Sequence, residues 1–450
     1  MSHLSSFLPV HQLLAKKSTA VWASYWNLAQ DAKIRCYPSY VAALVKAITV
    51  VKAKRVFILS KDRAYFLAGF LASLHAGVPI VLPPLGACGL LKELMQPGDC
   101  LLTDQSDIMA VAPLLIAMDR VTADDDCSTY FTLVDPANAW LIFYTSGSTG
   151  SPKRVEKSLM QLETEIAALQ NMWSGFKGAF LSTVSHQHIY GLLFSLLWPV
   201  CSGYPLKRQT FLFWEDLLDH CDSGDCIVSS PSHLGRFPLL TNKASNISRV
   251  FSSGGALSLE AAQATHHFLG VLPTEIYGST ETGGIAYRQQ LTHTMPWTRF
   301  PNIELSVKDG QRLRIKSPYL SDNDWHQTED CVSLLNENEF HWVGRADRVV
   351  KVEGKRVCLL ELEQRLMSLE FIKEAALFLL KDDNREALGA VVVLSPEGQE
   401  KLLSSGKIQL VRELRSNLSP YLERVAIPRK WRFVSQLPVN SQGKRINNFL

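Results

Sequence analysis

Ten consecutive residues, Tyr144-Thr145-Ser146-Gly147-Ser148-Thr149-Gly150-Ser151-Pro152-Lys153, combine glycines, hydroxyls and a terminal lysine directly after an apolar run. Glycine lets a backbone approach a ligand closely and adopt positive φ. Successive main-chain N–H groups and hydroxyls then wrap a polyphosphate, and Lys153 adds a cation. A flexible Ser/Gly linker has a similar composition. A linker, however, has no need to follow the strand-like Trp140–Thr145 or to end in Pro-Lys. The nucleotide loop of P-loop enzymes ends in Gly-Lys-Ser/Thr, whose hydroxyl holds Mg²⁺. Here Pro152, Lys153 and Arg154 occupy those places, so a metal ligand must come from elsewhere in the chain.

Strand-like and helix-like segments alternate around this loop. Arg55–Ser60 reads as a buried strand, Tyr65–His75 as a helix and Pro79–Leu82 as the next strand. That order predicts a parallel sheet with helices on its faces. After the loop, Ser158 and Gln161 have capping-box spacing, and Leu159, Leu162, Ile166 and Leu169 fall on one helical face. Thr274–Tyr277 reads as a short strand. Beyond about Gly344, strands Glu374–Leu380 and Leu388–Leu394 flank the turn Asp382-Asp383-Asn384, and Leu410–Leu418 reads as a helix. The expected fold is α/β, with a large N-terminal domain of parallel or mixed sheets over residues 1–345. A small α+β C-terminal module follows over residues 346–450.

The 450 residues are 46% hydrophobic and 20% charged, enough for a large core and more than one domain. A net charge of +3 gives no electrostatic case for nucleic acid as the main partner. The apolar stretch Tyr65–Pro83 carries His75, Gly69 and Gly77 and ends at prolines, so a packed helix and strand fit it better than a membrane span. Nine scattered cysteines form no C-x-x-C pair or disulfide framework. With no signal-peptide pattern at the N-terminus, the expectation is a reducing, cytoplasmic setting. Asp124-Asp125-Asp126 reads as a solvated loop.

The loop resembles the Y-T-S-G-S-T-G-x-P-K signature of the acyl-adenylate-forming superfamily, which includes AMP-dependent acyl-CoA synthetases and peptide-synthetase adenylation domains. Further segments follow in that family's order. Ser252-Ser253-Gly254-Gly255-Ala256 resembles the turn lining the adenine and acyl pockets. Tyr277-Gly278-Ser279-Thr280-Glu281-Thr282 is similar to its Y-G-x-T-E segment, and Thr328-Glu329-Asp330 to its T-G-D. Gly344-Arg345-Ala346-Asp347 with Lys351–Val357 resembles its G-R-x-D…K-x-x-G-x-R block. Leu437-Pro438 with Gly443-Lys444 resembles its C-terminal L-P-x-x-x-x-G-K. The likeness runs from about Arg55 to Lys444. Arg154 in place of glycine and Glu329 within T-G-D depart from the pattern, and the first fifty residues lack the usual N-terminal signature.

The resemblance implies ATP-dependent activation of a carboxylic acid as its acyl-AMP, followed by transfer to the thiol of CoA or of a carrier protein's phosphopantetheine. Both reacting groups in the first step are anions, so the site must supply positive charge and fixed donors. On this likeness the ATP/AMP site comprises Thr145, Ser146, Gly147, Ser148, Thr149, Gly150, Lys153, Gly254, Gly255, Ala256, Tyr277, Gly278, Asp330 and Arg345. Glu281 is the implied Mg²⁺ ligand; a carboxylate oxygen suits a hard cation. Thr280 would hydrogen-bond the α-phosphate, Tyr277 stack on adenine, and Asp330 accept from the ribose hydroxyls. Lys444 would reach the acid's carboxylate and the α-phosphate. The likeness also implies that the 346–450 module is a small mobile α+β lid domain, with Asp347 at its hinge and Gly354 in the loop used in the thiol step.

Two histidines, His186 and His188, lie near the implied acyl pocket. His188 matches the family's H-x-x-G spacing better, although a metal pair or a purely structural role also suits a His-x-His sequence. The implied substrate is an aryl or fatty acid, with an acyl carrier protein as a possible partner. The alternative is a non-catalytic adenylate-binding sensor or scaffold.

Overall fold

The computed structural model describes residues 7–16, 36–83, 88–108, 114–122, 131, 133–146, 152–237, 246–292, 295–308, 311–322, 324–352, 355–382, 385–419 and 426–437. The chain divides into two compact units, one of residues 1–304 with 316–325 and the other of 305–315 with 326–450. This division falls earlier than the 345/346 boundary expected from the motif order.

The first unit holds two sheets. One contains β1 (Arg55–Leu59), β2 (Ile80–Leu82), β3 (Asp99–Thr103), β4 (Leu115–Ala117), β5 (Trp140–Ser146) and β6 (Pro152–Ser158), in the spatial order β4-β3-β1-β2-β5-β6. The first five strands run parallel, and β6 turns back antiparallel along β5. The helix Arg63–His75 begins at Asp62, whose carboxylate accepts from the amides of Ala64 and Tyr65. It links β1 to β2, as the alternating pattern predicts. Its apolar positions are buried almost all round, as for a helix covered on several sides.

The other sheet contains β7 (Phe180–Ser182), β8 (Cys226–Ser229), β9 (Arg249–Ser252), β10 (Thr274–Ser279), β11 (Gly283–Arg288) and β12 (Trp297–Arg299). β7 to β10 are parallel neighbours, while β10-β11-β12 form an antiparallel extension. An aromatic core of Trp173, Phe194, Trp198 and Phe251 packs between the helices and these strands, with ring centroids 5.1–6.4 Å apart. The two sheets meet at His186. Its Nε2 lies 3.0 Å from the carbonyl of Ser60, just past β1, and its ring packs edge-on against Phe66.

The second unit contains β13 (Glu304–Lys308), β14 (Arg312–Lys316), β15 (His326–Leu334) and β16 (Glu339–Arg345), neighbours in that order, with β14, β15 and β16 running antiparallel. A hairpin of β17 (Val349–Val352) and β18 (Lys355–Cys358) follows. β19 (Ile372–Asp382), β20 (Arg385–Leu394) and β21 (Lys430–Phe433) then form a three-stranded sheet. The helices Leu359–Met367 and Pro396–Leu418 share its core through Leu362, Leu366, Leu410, Leu414 and Leu418. The longer helix is broken at Gly406 (φ 77°) and begins well before the expected Leu410. Arg348 pairs with the buried Glu363, whose carboxylate also accepts the Leu377 amide.

Of the described cysteines, six carry free thiols. Among the described residues, no helix is long and apolar enough to cross a membrane.

Candidate active site

The loop signature is held between two strands. β5 pairs with β6 in a register that sets Thr145 opposite Lys153 and Ser146 opposite Pro152. Gly147, Ser148, Thr149 and Gly150, which connect these strands, lie outside the described residues, as do the side chains of Thr145 and Ser146. The strand β6 was not foreseen from the sequence. Val155 and Lys157 are buried along it, whereas Lys153, Arg154 and Glu156 are exposed. Arg154 therefore points to solvent and pairs with Glu156 at 2.6 Å. Directly after β6 the Ser158 hydroxyl accepts from the Gln161 amide, and the Gln161 side chain returns to the Ser158 amide. This capping box starts the helix Leu159–Met172 as the spacing predicts.

A hairpin of the second sheet supplies the acidic group. β10 and β11 are joined through Thr280, Glu281 and Thr282. Within this turn the Ser279 amide donates to the Thr282 hydroxyl at 3.0 Å, and the Thr282 amide donates back to the Ser279 hydroxyl at 3.2 Å. Gly278 lies under the turn. A Cβ there would sit 2.3 Å from the carbonyl oxygen of Gly283, so only glycine lets the two strands close. Gly283 itself has φ 70°, which an L side chain adopts at a cost.

The hairpin brings Glu281 to Lys153, at the end of the 144–153 segment. Lys153 Nζ lies 3.0 Å from Glu281 Oε1, with the carboxylate about a quarter exposed and the lysine more open. Burial alone would raise the Glu281 carboxyl. Hydrogen bonds from Lys153, from its own amide and from Ser279, with the Lys153 charge, hold it below the usual carboxylate range instead. It is an anion at neutral pH. An ionised carboxylate beside a hydroxyl residue, partly open and offset by the exposed Lys153, fits a hard divalent cation.

Tyr277 ends the regular part of β10 half-buried, its ring 5.5 Å from that of Trp297, over which the Arg288 guanidinium lies at 4.4 Å. Gly254, Gly255 and Ala256 are exposed after β9. Gly254 has φ 90° with nothing within 4 Å of a Cβ position, so conformation and not crowding calls for glycine. The Ser253 hydroxyl donates to the Ile276 carbonyl and ties this turn to β10. The first unit therefore gathers Lys153, Gly254, Tyr277, Thr280 and Glu281 on adjoining strand ends.

The two histidines differ sharply. His186 is 1% exposed, and burial, followed by the positive charge of Arg63, pushes its imidazole down to about 3. It is a neutral core group. His188 is exposed and precedes the short helix Ile189–Leu192. Gly191 is required because a Cβ would lie 2.1 Å from the Ser185 carbonyl oxygen, which closes the His188–Gly191 turn.

Asp330 and Arg345 belong to the second unit, opposite one another on β15 and β16. Trp342 Nε1 donates to Asp330 Oδ1 at 3.1 Å, and the Asp330 amide donates to the Thr328 hydroxyl. Glu329 is exposed beside Arg312, so its departure from T-G-D turns outward. Asp347 falls in the turn Ala346–Arg348, and nothing of its side chain is described. Gly354 and Lys444 lie outside the described residues.

Sequence reasoning missed two buried charges beneath Glu281. Lys157 is 3% and Glu165 4% exposed. Lys157 Nζ donates to the carbonyls of Glu281 (2.5 Å) and Tyr319 (2.7 Å). Glu165 Oε1 accepts the Gly284 amide at 2.8 Å. Burial pushes Glu165 up to about 7 and Lys157 down to about 8, each partly offset by the charge of the other. A signal was available: Glu165 interrupts the apolar face formed by Leu162, Ile166 and Leu169.

The family model "AMP-binding enzyme" matches residues 92–322, and "AMP-binding enzyme C-terminal domain" matches residues 361–444. The chain is similar to a 4-coumarate–CoA ligase of Cereibacter sphaeroides, 28% identical over 70% of this chain and 72% of the relative. It is also similar to a D-alanine–D-alanyl carrier protein ligase of Staphylococcus aureus, 24% identical over 84% of this chain and 85% of the relative. In fold it matches the solved O-succinylbenzoate coenzyme A synthetase of Bacillus subtilis in complex with ATP and magnesium ion. That match has a TM-score of 0.74 and 22% identity, over 92% of this chain and 93% of the other.

Proposed function

The chain belongs to the AMP-binding enzyme family of acyl-adenylate-forming ligases, and from that premise we propose that it converts an aryl or fatty acid to its acyl-AMP and passes the acyl group to a thiol. The observation that carries this reading is the 3.0 Å approach of Lys153, at the end of the phosphate loop, to Glu281 on the facing hairpin. One element offers amides, hydroxyls and a cation to a triphosphate; the other offers an anion to a divalent metal.

In this reading Thr145 to Gly150 and Lys153 hold the triphosphate of ATP, and Glu281 holds Mg²⁺. When bound, Mg²⁺ would supply positive charge that offsets the charge of the triphosphate. Thr280 donates to the α-phosphate, and Tyr277, backed by Trp297, stacks on adenine beside the exposed turn at Gly254, Gly255 and Ala256. Asp330 accepts from the ribose hydroxyls, with Arg345 close by on the neighbouring strand. His188, being exposed, stands at the acid's carboxylate, whereas the buried His186 fixes the loop that carries it.

The carboxylate oxygen of the acid attacks the α-phosphorus and pyrophosphate leaves. Lys444 supplies the cation that offsets charge between these two anions. The thiol of CoA or of a carrier protein's phosphopantetheine then attacks the acyl carbon, and AMP departs with the acid's oxygen. We assign Asp347 as the hinge by which the 346–450 segment exchanges Lys444 for the loop around Gly354 between the two steps.

Acid-dependent ATP–pyrophosphate exchange across a panel of aryl and aliphatic acids tests the reading. Exchange with at least one acid, without ADP formation, is expected. Nucleotide binding without exchange for any acid would overturn it in favour of a non-catalytic adenylate binder.

A further inference from the structure

We propose that Lys157 and Glu165 are positioning residues that set the place of the metal-binding carboxylate of Glu281 relative to the phosphate loop. The inference rests on the reading of Glu281 as the Mg²⁺ ligand.

The geometry is specific. Lys153 and Lys157 lie four residues apart on β6, so both project from one face of the strand. Lys153 faces the Glu281 carboxylate at 3.0 Å, and Lys157 grips the Glu281 main-chain carbonyl at 2.5 Å. The same strand that continues from the phosphate loop therefore holds both ends of one acidic residue. The second donor of the Lys157 ammonium goes to the Tyr319 carbonyl, which Gln161 also binds at 3.0 Å. From the far side of the hairpin, Glu165 accepts the Gly284 amide. A Cβ at Gly283 would lie 2.5 Å from Glu165 Oε2, so glycine leaves room for the carboxylate there as well as suiting the φ of 70°.

An apolar core could stabilise the hairpin without burying two charges. Burying two opposite charges gains little stability over well-packed apolar groups, because desolvation offsets their attraction. What the pair adds is direction. An ammonium on one main-chain carbonyl and a carboxylate on one main-chain amide, three residues apart, fix where the turn sits along β6. Groups that orient a metal ligand in this way typically change metal affinity 10–100-fold when lost.

The test reads metal directly, without turnover. Binding of the fluorescent analogue mant-ATP is titrated with MgCl₂ for the wild type, Lys157→Met, Glu165→Gln and the double variant, each first shown folded by its thermal transition. Lys157→Met is expected to raise the half-saturating Mg²⁺ concentration at least tenfold, while mant-ATP binding in EDTA changes less than threefold. Glu165→Gln keeps an acceptor for Gly284 and is expected to fold; its Mg²⁺ constant should rise about threefold. The double variant should be no worse than Lys157→Met alone, since the two act as one unit. A Mg²⁺ constant within twofold of wild type in a folded Lys157→Met overturns the proposal. Where Lys157→Met folds, simple multiplication of the two single effects in the double variant also overturns it; if Lys157→Met does not fold, a wild-type constant in Glu165→Gln does. Failure of every acid in pyrophosphate exchange would instead strike the ligase reading, and leaves the metal titration fully informative.

Discussion

Replacing Gly278 with alanine perturbs the candidate site at one atom. The added Cβ would lie 2.3 Å from the Gly283 carbonyl oxygen, 3.0 Å from its carbon and 3.0 Å from the Gly284 Cα. All three partners are backbone, so no side chain can swing away. β10 and β11 must part by at least about 0.7 Å to reach the shortest separations such atoms tolerate. Overpacking of this kind costs roughly 1–3 kcal/mol. The parting occurs three residues from Glu281, in a turn whose shape depends on the paired Ser279 and Thr282 hydroxyls. A misplacement near 1 Å at a reacting centre costs on the order of 10²-fold in rate. Gly278→Ala should therefore lower kcat for pyrophosphate exchange by about 10–10²-fold, with a thermal transition only a few degrees lower. Gly270→Ala is the control, since its Cβ meets nothing and only the positive φ is strained, at about 1–2 kcal/mol. Exchange by Gly278→Ala within twofold of wild type, in folded protein, would refute the account of this hairpin.

Ser158→Ala removes the capping box and should cost about 1 kcal/mol, seen as a lower denaturant midpoint with activity largely kept. Arg154→Gly restores the family's residue; because the Arg154–Glu156 pair is half-exposed, both stability and exchange should stay near wild type. For His186 the folded value lies below the unfolded one of 6.5, so the unfolded chain binds more protons as pH falls. Its stabilising contribution is complete above pH 6.5 and is lost progressively towards pH 3. Urea midpoints between pH 7.5 and 4.5 should fall less steeply for His186→Gln than for wild type. Lys444→Ala should retain mant-ATP binding while exchange drops by ~10²–10³-fold.

The parts legible in the sequence were those with strong local signals. β1, the helix after it and β2 follow from runs of buried residues and an alternating order, and Ser158–Gln161 announces its helix by side-chain chemistry. The motif segments at 252–256 and 277–282 also stand where sheet neighbours bring them together. β6 was illegible because Lys153, Arg154, Glu156 and Lys157 leave only Val155 as an apolar residue inside it. Its strand character comes from pairing with β5, and Lys157 is buried by partners more than a hundred residues away. Glu165 was passed over for the same reason: a lone carboxylate on an apolar helical face finds its partner, the Gly284 amide, only in the folded chain. The division into units also departs from motif order. Residues 305–315 pair through β14 with β15, so a segment that precedes the expected boundary joins the second unit.

Isotope transfer tests the central claim most directly. An accepted acid carrying ¹⁸O in its carboxylate is incubated with ATP, Mg²⁺ and a thiol acceptor, and the nucleotide products are weighed by mass spectrometry. Because the carboxylate oxygen attacks the α-phosphorus and leaves with it, AMP should carry one ¹⁸O for each thioester formed. Label in inorganic phosphate alongside ADP, or AMP without label, would contradict acyl-adenylate chemistry at this site.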